Sequence, residues 1–530
     1  MDQLLENATS HFNAPAHNKG ESMKEFLMIL IVVPAVCSSP AATLDKQAYQ
    51  HQSNAIAGVG QLSETWADSV APDSSGMRNL SSVELAQEMV PGWNVGNSLD
   101  ATGGETAWGN PLISQRLIDS VKAAGFRAVR IPVAWSHFSD TAYTIDSAWI
   151  ARVEQVVNYV LHDSMYAILN EHWDGGWMQP TYAQQAYVNN RLAVMWHQIA
   201  VHFRDYGDHL LFAGMNEVMV TNNYSAPTVE YYTVQNGFNQ IFVSTVRSTG
   251  GRNAFRYLVV QGFNTNIDYT VNYFDIPTDA TPNRLMVEVH YYDPYDFTLN
   301  ANSSITQWGS YATVASKTEP WANESYADGQ FQKMETKFID QGYAVILGEY
   351  GAIARFASGD AALNAENARY RLYYMEYITR SLDRHGLVPF YWDNGYTGNN
   401  SMGLFDRSTG ARAYPDIAKA IVDTVITTNG TTGAIIRTGH QDPEEFSLAQ
   451  NYPNPFNPST TISFTIPVTS RVSLKVFDLL GREVATIVSR ELLAGYHSEQ
   501  WNAERISSGI YFYRVQAGSL TETKKLVLVK

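Results

Sequence analysis

Between residues 88 and 425 the chain alternates short apolar runs with longer amphipathic stretches. The runs are GWNVGN (92–97), RAVRIPV (127–133), YAILNEH (166–172), LLFAGMNE (210–217), RYLVVQG (256–262), LMVEVHYY (285–292), YAVILGEYG (343–351) and VPFYWDN (388–394). They have strand length and are apolar on both faces, as strands covered by helices are. Between them, SQRLIDSVKAAG (114–125) and AWIARVEQVVNYVLHDS (148–164) read as helices. In the second, Ile150, Val153, Val156, Val157 and Val160 fall at helical spacing and make a core-facing stripe. Eight strand candidates with helical crossovers predict an α/β fold, a closed (β/α)8 or TIM barrel. An open doubly wound sheet is the alternative. It normally carries a glycine-rich phosphate loop after an early strand, and neither GxGxxG nor GxxxxGK(S/T) occurs.

The rhythm changes after 425. A polar, Gly/Thr-rich linker (427–446) gives way to short alternating runs at 460–467, 471–481, 482–489, 495–503, 509–518 and 523–530. This pattern predicts a small all-β, immunoglobulin-like antiparallel sandwich over 447–530. Tyr511 and Tyr513 alternate on one of its strands and so share a face; with Trp501 and Tyr452 they suit either a core or a sugar-binding surface. At the other end, MKEFLMILIVVPAVCSSPAA from Met23 has a lysine, an apolar run and then small residues, which reads as a signal peptide over 23–42. Residues 1–22 form a polar extension ahead of it, so a start at Met23 is expected. Residues 43–80 form a lead-in, and the barrel is expected over 81–426.

Composition narrows the chemistry. A formal charge of −16 repels nucleic-acid phosphates, so no nucleic-acid partner is expected. Aromatic residues reach 12%, which suits the gripping of flat sugar faces or a large aromatic core. The single cysteine, Cys37, excludes an intramolecular disulfide and a cysteine metal cluster.

Barrel active sites form where strands end. The polar residues collected there are Asn97, Arg130 within the second run, His172, Asn216 with Glu217, His290 with Tyr292, Glu349 and Trp392. Each alone is ambiguous. Together they place two carboxylates, two imidazoles, an arginine and two aromatic rings around one cup. Two carboxylates facing one cup suit glycosidic bond cleavage, where one is protonated and the other ionised. Arg130 and Tyr292 beside Glu349 are expected to hold it ionised, as the nucleophile. Glu217 follows an apolar strand and is expected to retain its proton for acid work. Asn216 is a substrate-binding amide, and Trp392 a platform for a sugar ring. Trp173 and Trp177, in HWDGGW, are candidate stacking groups on a loop lip. Neither HExxH nor GxSxG occurs, and no metal site or cofactor is expected.

The stretches GWNVGNSLDA, VRIPVAW, LNEHWD, GMNEV, VHYYDPYDF, LGEYGA and YWDNGYTGNNSMGLFDR resemble, in order, a glycoside hydrolase family 5 catalytic domain of the endoglucanase type. The resemblance implies a retaining mechanism, with acid/base Glu217 and nucleophile Glu349. Support roles fall to Arg130, His172, Asn216, His290, Tyr292 and Trp392. Val218 stands where the family commonly has proline, which puts the local loop geometry in question. SLAQNYPNPFNPSTTISFTIP, VFDLLGREVATI and SSGIYFYRVQAG resemble a type IX secretion C-terminal sorting domain. That implies export to the medium or outer surface of a Gram-negative bacterium, with residues 447–530 read by the secretion machinery. The expected function is a secreted endo-β-1,4-glucanase with a polysaccharide substrate and a monomeric catalytic domain. A xyloglucanase, mixed-linkage glucanase or mannanase of the same family is the alternative, and a non-catalytic polysaccharide-binding barrel the alternative of another class.

Overall fold

The computed structural model describes residues 66–172, 174–426, 446–451, 454–468, 470–492 and 495–530. The expected signal peptide, Cys37, most of the expected linker, Trp173 and Tyr452 lie outside the described residues. All eight predicted runs become strands: β1 (Gly92–Val95), β2 (Ala128–Ile131), β3 (Tyr166–Asn170), β4 (Leu210–Ala213), β5 (Leu258–Gln261), β6 (Leu285–Tyr291), β7 (Ala344–Tyr350) and β8 (Leu387–Asp393). They pair in parallel, in sequence order, and β8 closes on β1. Side chains alternate as the pleat requires. In β4, Leu211 and Ala213 point into the barrel, while Leu210 and Phe212 meet the helices. The barrel floor is closed by the helix Ser82–Glu88, whose Leu85 and Ala86 pack with Met89 and Val90 against the interior. Its start is fixed by a capping box between Ser81 and Glu84. The predicted helices form at Gln115–Ala124 and Ser147–His162; Gly125, at φ 110°, ends the first in the left-handed conformation that favours glycine.

The lead-in is already attached to the barrel from Trp66. Trp66 stacks on His197 with ring centroids 3.8 Å apart, and Val70–Pro72 pairs with Gly250–Gly251. The tail forms two antiparallel sheets of three and four strands. Its apolar core is drawn from residues of its own segment, including Phe464, Leu474, Trp501, Tyr513 and Leu526. Tyr513 is fully buried, and its hydroxyl donates to the Ala449 carbonyl at 2.7 Å. Trp501 and Tyr513 are therefore core residues rather than a sugar-binding face.

Candidate active site

Arg130 stands at the centre of the barrel mouth. It lies on β2 with the inward parity of Ala128 and is fully buried. Its Nη1 donates to Asn94 Oδ1 and Glu349 Oε1, both at 3.0 Å, and its Nη2 donates to Asn216 Oδ1 at 2.5 Å. Its Nε lies 2.8 Å from Glu288 Oε1. Burial opposes the guanidinium charge, but Glu288 and Glu349 outweigh it. One side chain thus ties β1, β6, β7 and the loop after β4 together.

Glu349 reaches the cup through a bulge. Val289 of β6 pairs with Leu347 of β7, and the next residue, His290, pairs with Glu349. Gly348 is the extra residue, and it shifts the parity so that Glu349 turns inward while Tyr350 faces the helices. The Glu349 carboxylate accepts from Arg130 and, at 3.2 Å, from the Tyr292 hydroxyl. Burial holds the Tyr292 phenol well above its ordinary pKa, so it remains a donor.

Glu217 does not close a strand as the sequence suggested. β4 stops at Ala213, and Asn216 and Glu217 lie in the following loop. Glu217 is held at φ 47°, an unusual conformation for a side-chain-bearing residue that ends the extended run. Its Oε1 lies 2.7 Å from His290 Nδ1, and His290 Nε2 lies 3.3 Å from Glu288 Oε1. Burial works against the imidazolium, but Glu349, Glu217 and Glu288 together raise the His290 pKa to about 9. Oxygens of Glu217 and Glu349 and a nitrogen of His290 all lie within 4.8 Å of one another.

The burial argument used to separate the two glutamates runs the other way. The Glu217 side chain is 40% exposed and that of Glu349 7%. Burial raises Glu349 above the ordinary carboxylate range; the His290 and Arg130 charges pull it back, and Glu217 pushes it up. Position, not burial, must distinguish them. Glu349 is clamped from two sides, whereas Glu217 stands at the open edge. Val218 is buried, and its carbonyl accepts from the Asn264 amide at 3.0 Å.

Trp392 and His172 form one wall. Their rings lie nearly parallel, 10° apart, with centroids separated by 5.8 Å. Trp392 rests on Gly96, where a Cβ would come within 2.6 Å of the indole. Trp177 is fixed from behind: its Nε1 donates to Asp174 at 2.9 Å and Glu171 at 3.2 Å, and Arg191 covers its ring at 4.6 Å. That leaves at most one face for a ligand. Asn97 lies in the turn that follows β1. Its backbone N–H donates to Asp100 Oδ2 at 3.0 Å and its backbone carbonyl accepts from Asn110 Nδ2 at 2.8 Å. The β1 residue that meets Arg130 is Asn94, which also donates to the Gly348 carbonyl at 2.8 Å. Glu288 and Gln261, 2.8 Å apart beneath the site, are the other polar members that the strand-end reading missed. Parity would have found Glu288: Met286, Glu288, His290 and Tyr292 alternate along the inward face.

Two carboxylates this close at the mouth of a (β/α)8 barrel, backed by arginine and imidazole and walled by indole, make a glycoside hydrolase site. Comparison with known proteins agrees. Residues 94–398 match the cellulase family, glycosyl hydrolase family 5, and residues 450–530 match the secretion system C-terminal sorting domain. Endoglucanase A of Paenibacillus barcinonensis is 40% identical over 376 residues, 67% of this chain and 92% of the relative. A xyloglucan-specific endo-β-1,4-glucanase of Bacteroides ovatus is 45% identical over 357 residues, 64% of this chain and 70% of the relative. Among solved structures, the Bacteroides ovatus family 5 xyloglucanase in complex with a XXXG heptasaccharide aligns with TM-score 0.65 and 42% identity, covering 68% of this chain and 80% of that one. A broad-specificity GH5-4 endoglucanase from Bacteroides salanitronis aligns with TM-score 0.62 and 38% identity, covering 66% and 97%. The chain belongs to glycosyl hydrolase family 5. Its type IX sorting domain makes it a secreted or cell-surface protein of a Gram-negative bacterium.

Proposed function

We propose that this glycoside hydrolase is a retaining endo-β-1,4-glucanase in which Glu349 is the nucleophile and Glu217 the acid/base. The carrying observation is the approach of the two carboxylates, with oxygens within 4.8 Å. Retaining enzymes hold their carboxyl groups about 5–5.5 Å apart, whereas inverting ones need about 6.5–9.5 Å to admit a water between them. In the first step a Glu349 oxygen attacks the anomeric carbon, the glycosidic C–O bond breaks, and the leaving oxygen takes the proton of Glu217. In the second, Glu217 takes a proton from water, whose oxygen displaces Glu349 from the same carbon. Arg130 and Tyr292 fix the attacking carboxylate. Asn216 gives its amide oxygen to Arg130, which turns its NH2 toward a sugar hydroxyl. Trp392 and His172 make the wall against which the glycone ring packs. Trp177, with one face covered, is a lesser contact.

Cellulose-type β-1,4-glucans and xyloglucan are the substrates the comparisons favour, and the VHYYDPYDF and GLFDR stretches fit the same branch. The catalytic domain acts as a monomer in this reading. Residues 447–530 serve the secretion machinery. Product analysis on carboxymethylcellulose, barley glucan, xyloglucan, xylan and glucomannan tests the assignment. Short oligosaccharides from the glucans are expected. Release from xylan or glucomannan alone would overturn it, and binding without product would favour a non-catalytic barrel.

A further inference from the structure

Beneath the two reacting carboxylates lies a third, Glu288, which touches no open space and is fully buried. It lies 2.8 Å from Arg130 Nε, 3.3 Å from His290 Nε2 and 2.8 Å from Gln261 Nε2. Its room is made by Gly348, where a Cβ would fall 1.9 Å from Glu288 Oε1. A buried carboxylate is costly, so one that meets two cationic partners and an amide is placed for a purpose.

We propose that Glu288 is a positioning residue for the reaction: by accepting the Nε2–H of His290 it presents the other ring nitrogen, as an N–H, to Glu217. This rests on the reading of Glu217 as acid/base. An imidazole has two nitrogens and, when neutral, one proton. With Glu288 behind it, the ring carries protons on both. His290 and Glu217, 2.7 Å apart, then hold one transferable proton between them. As the leaving oxygen takes that proton from Glu217, His290 is left neutral, its remaining proton on Nε2 held by Glu288. In the second step Glu217 regains a proton from water, and the store is refilled. The groups facing His290 are Glu217 from the loop after β4, Glu349 from β7 and Glu288 from its own strand; Arg130 acts on it through Glu288 and Glu349. The His290 pKa, raised to about 9, agrees with this arrangement.

The test is the pH profile of kcat/KM for Glu288→Gln in the full-length protein, on a soluble β-glucan. Glutamine keeps the shape but removes the charge behind the imidazole. The shared proton is then lost at lower pH, and the alkaline limb should fall by on the order of one pH unit. In a His290→Ala background the same substitution should leave the limb in place. An alkaline limb within about 0.3 unit of wild type, with activity merely scaled down, would show a packing role and overturn the proposal. Should Glu288→Gln not fold, nitrogen-15 NMR of wild-type His290 at neutral pH decides: two bonded ring protons support the proposal, and a single neutral tautomer overturns it. Failure of the underlying reading looks different, because Glu217→Gln would then retain wild-type activity whatever Glu288 does.

Discussion

Gly348 and Glu288 divide the space of a single side chain. A Cβ on Gly348 would stand 1.9 Å from Oε1 of Glu288, and that carboxylate is boxed in by Arg130, His290 and Gln261. The bulge at Gly348 also turns Glu349 inward. Gly348→Ala should therefore lower stability by roughly 1–3 kcal/mol through overpacking, and should cost activity as Glu349 and Arg130 shift. Gly329→Ala is the control. It lies in the helix Glu324–Lys337 with nothing within 4 Å of the new Cβ, and it should gain about 0.5–1 kcal/mol. Thermal melting and glucanase assays of the two variants check the contrast.

Removing the two carboxylates should produce different losses. Glu217→Gln should slow polymer hydrolysis by about 10²–10⁴-fold, the usual worth of general acid–base catalysis. It should slow bond cleavage in an aryl cellobioside far less when the phenol is acidic, because such a leaving group needs no proton. Glu349→Gln should abolish both activities. Equal losses of Glu217→Gln on the two substrates would reverse the roles or void them.

The pH dependence follows from Glu349. The attack needs an ionised carboxylate, and burial holds the Glu349 pKa above the ordinary range. Activity is present above that pKa and is lost as pH falls through it. The acid limb of kcat/KM should therefore lie above the ordinary carboxylate value of about 4.3. An acid limb below about 4 would mean that the Arg130 and His290 charges outweigh burial.

Trp392 is expected to act mainly through binding. Trp392→Ala removes the wall that faces His172 and should cost kcat/KM about ten- to a hundred-fold on cello-oligosaccharides, in line with about 1.5–3 kcal/mol for a buried ring. Trp177→Ala should act mainly on stability, since it strips Glu171 and Asp174 of an N–H donor. Steady-state kinetics beside melting curves separate the two effects.

The barrel was legible because its strands are apolar runs between helical stripes, and period alone distinguishes those. The strand-end rule found Arg130, Glu217, His290, Tyr292 and Glu349, which the fold brings into one network. It missed Asn94 and Glu288, which precede the polar residues collected from the same runs, and there parity rather than position marks an inward residue. It also chose Asn97, whose backbone N–H is bonded to Asp100 in the turn after β1. Parity alone would have failed at Glu349, since the extra residue Gly348 reverses the alternation there. The relative exposure of Glu217 and Glu349 was hidden as well: it is set in the loop after β4, where Glu217 itself takes a positive φ, and no run of apolar letters encodes that.

The central claim is that Glu217 and Glu349 are close enough for one of them to bond the sugar. Proton NMR of the anomeric signals during early hydrolysis of a cello-oligosaccharide tests it directly. The carboxylate spacing, with oxygens within 4.8 Å, predicts that the β-anomer of the newly formed reducing end appears first and mutarotates later. First appearance of the α-anomer would require a water between the two carboxylates and would contradict Glu349 as nucleophile.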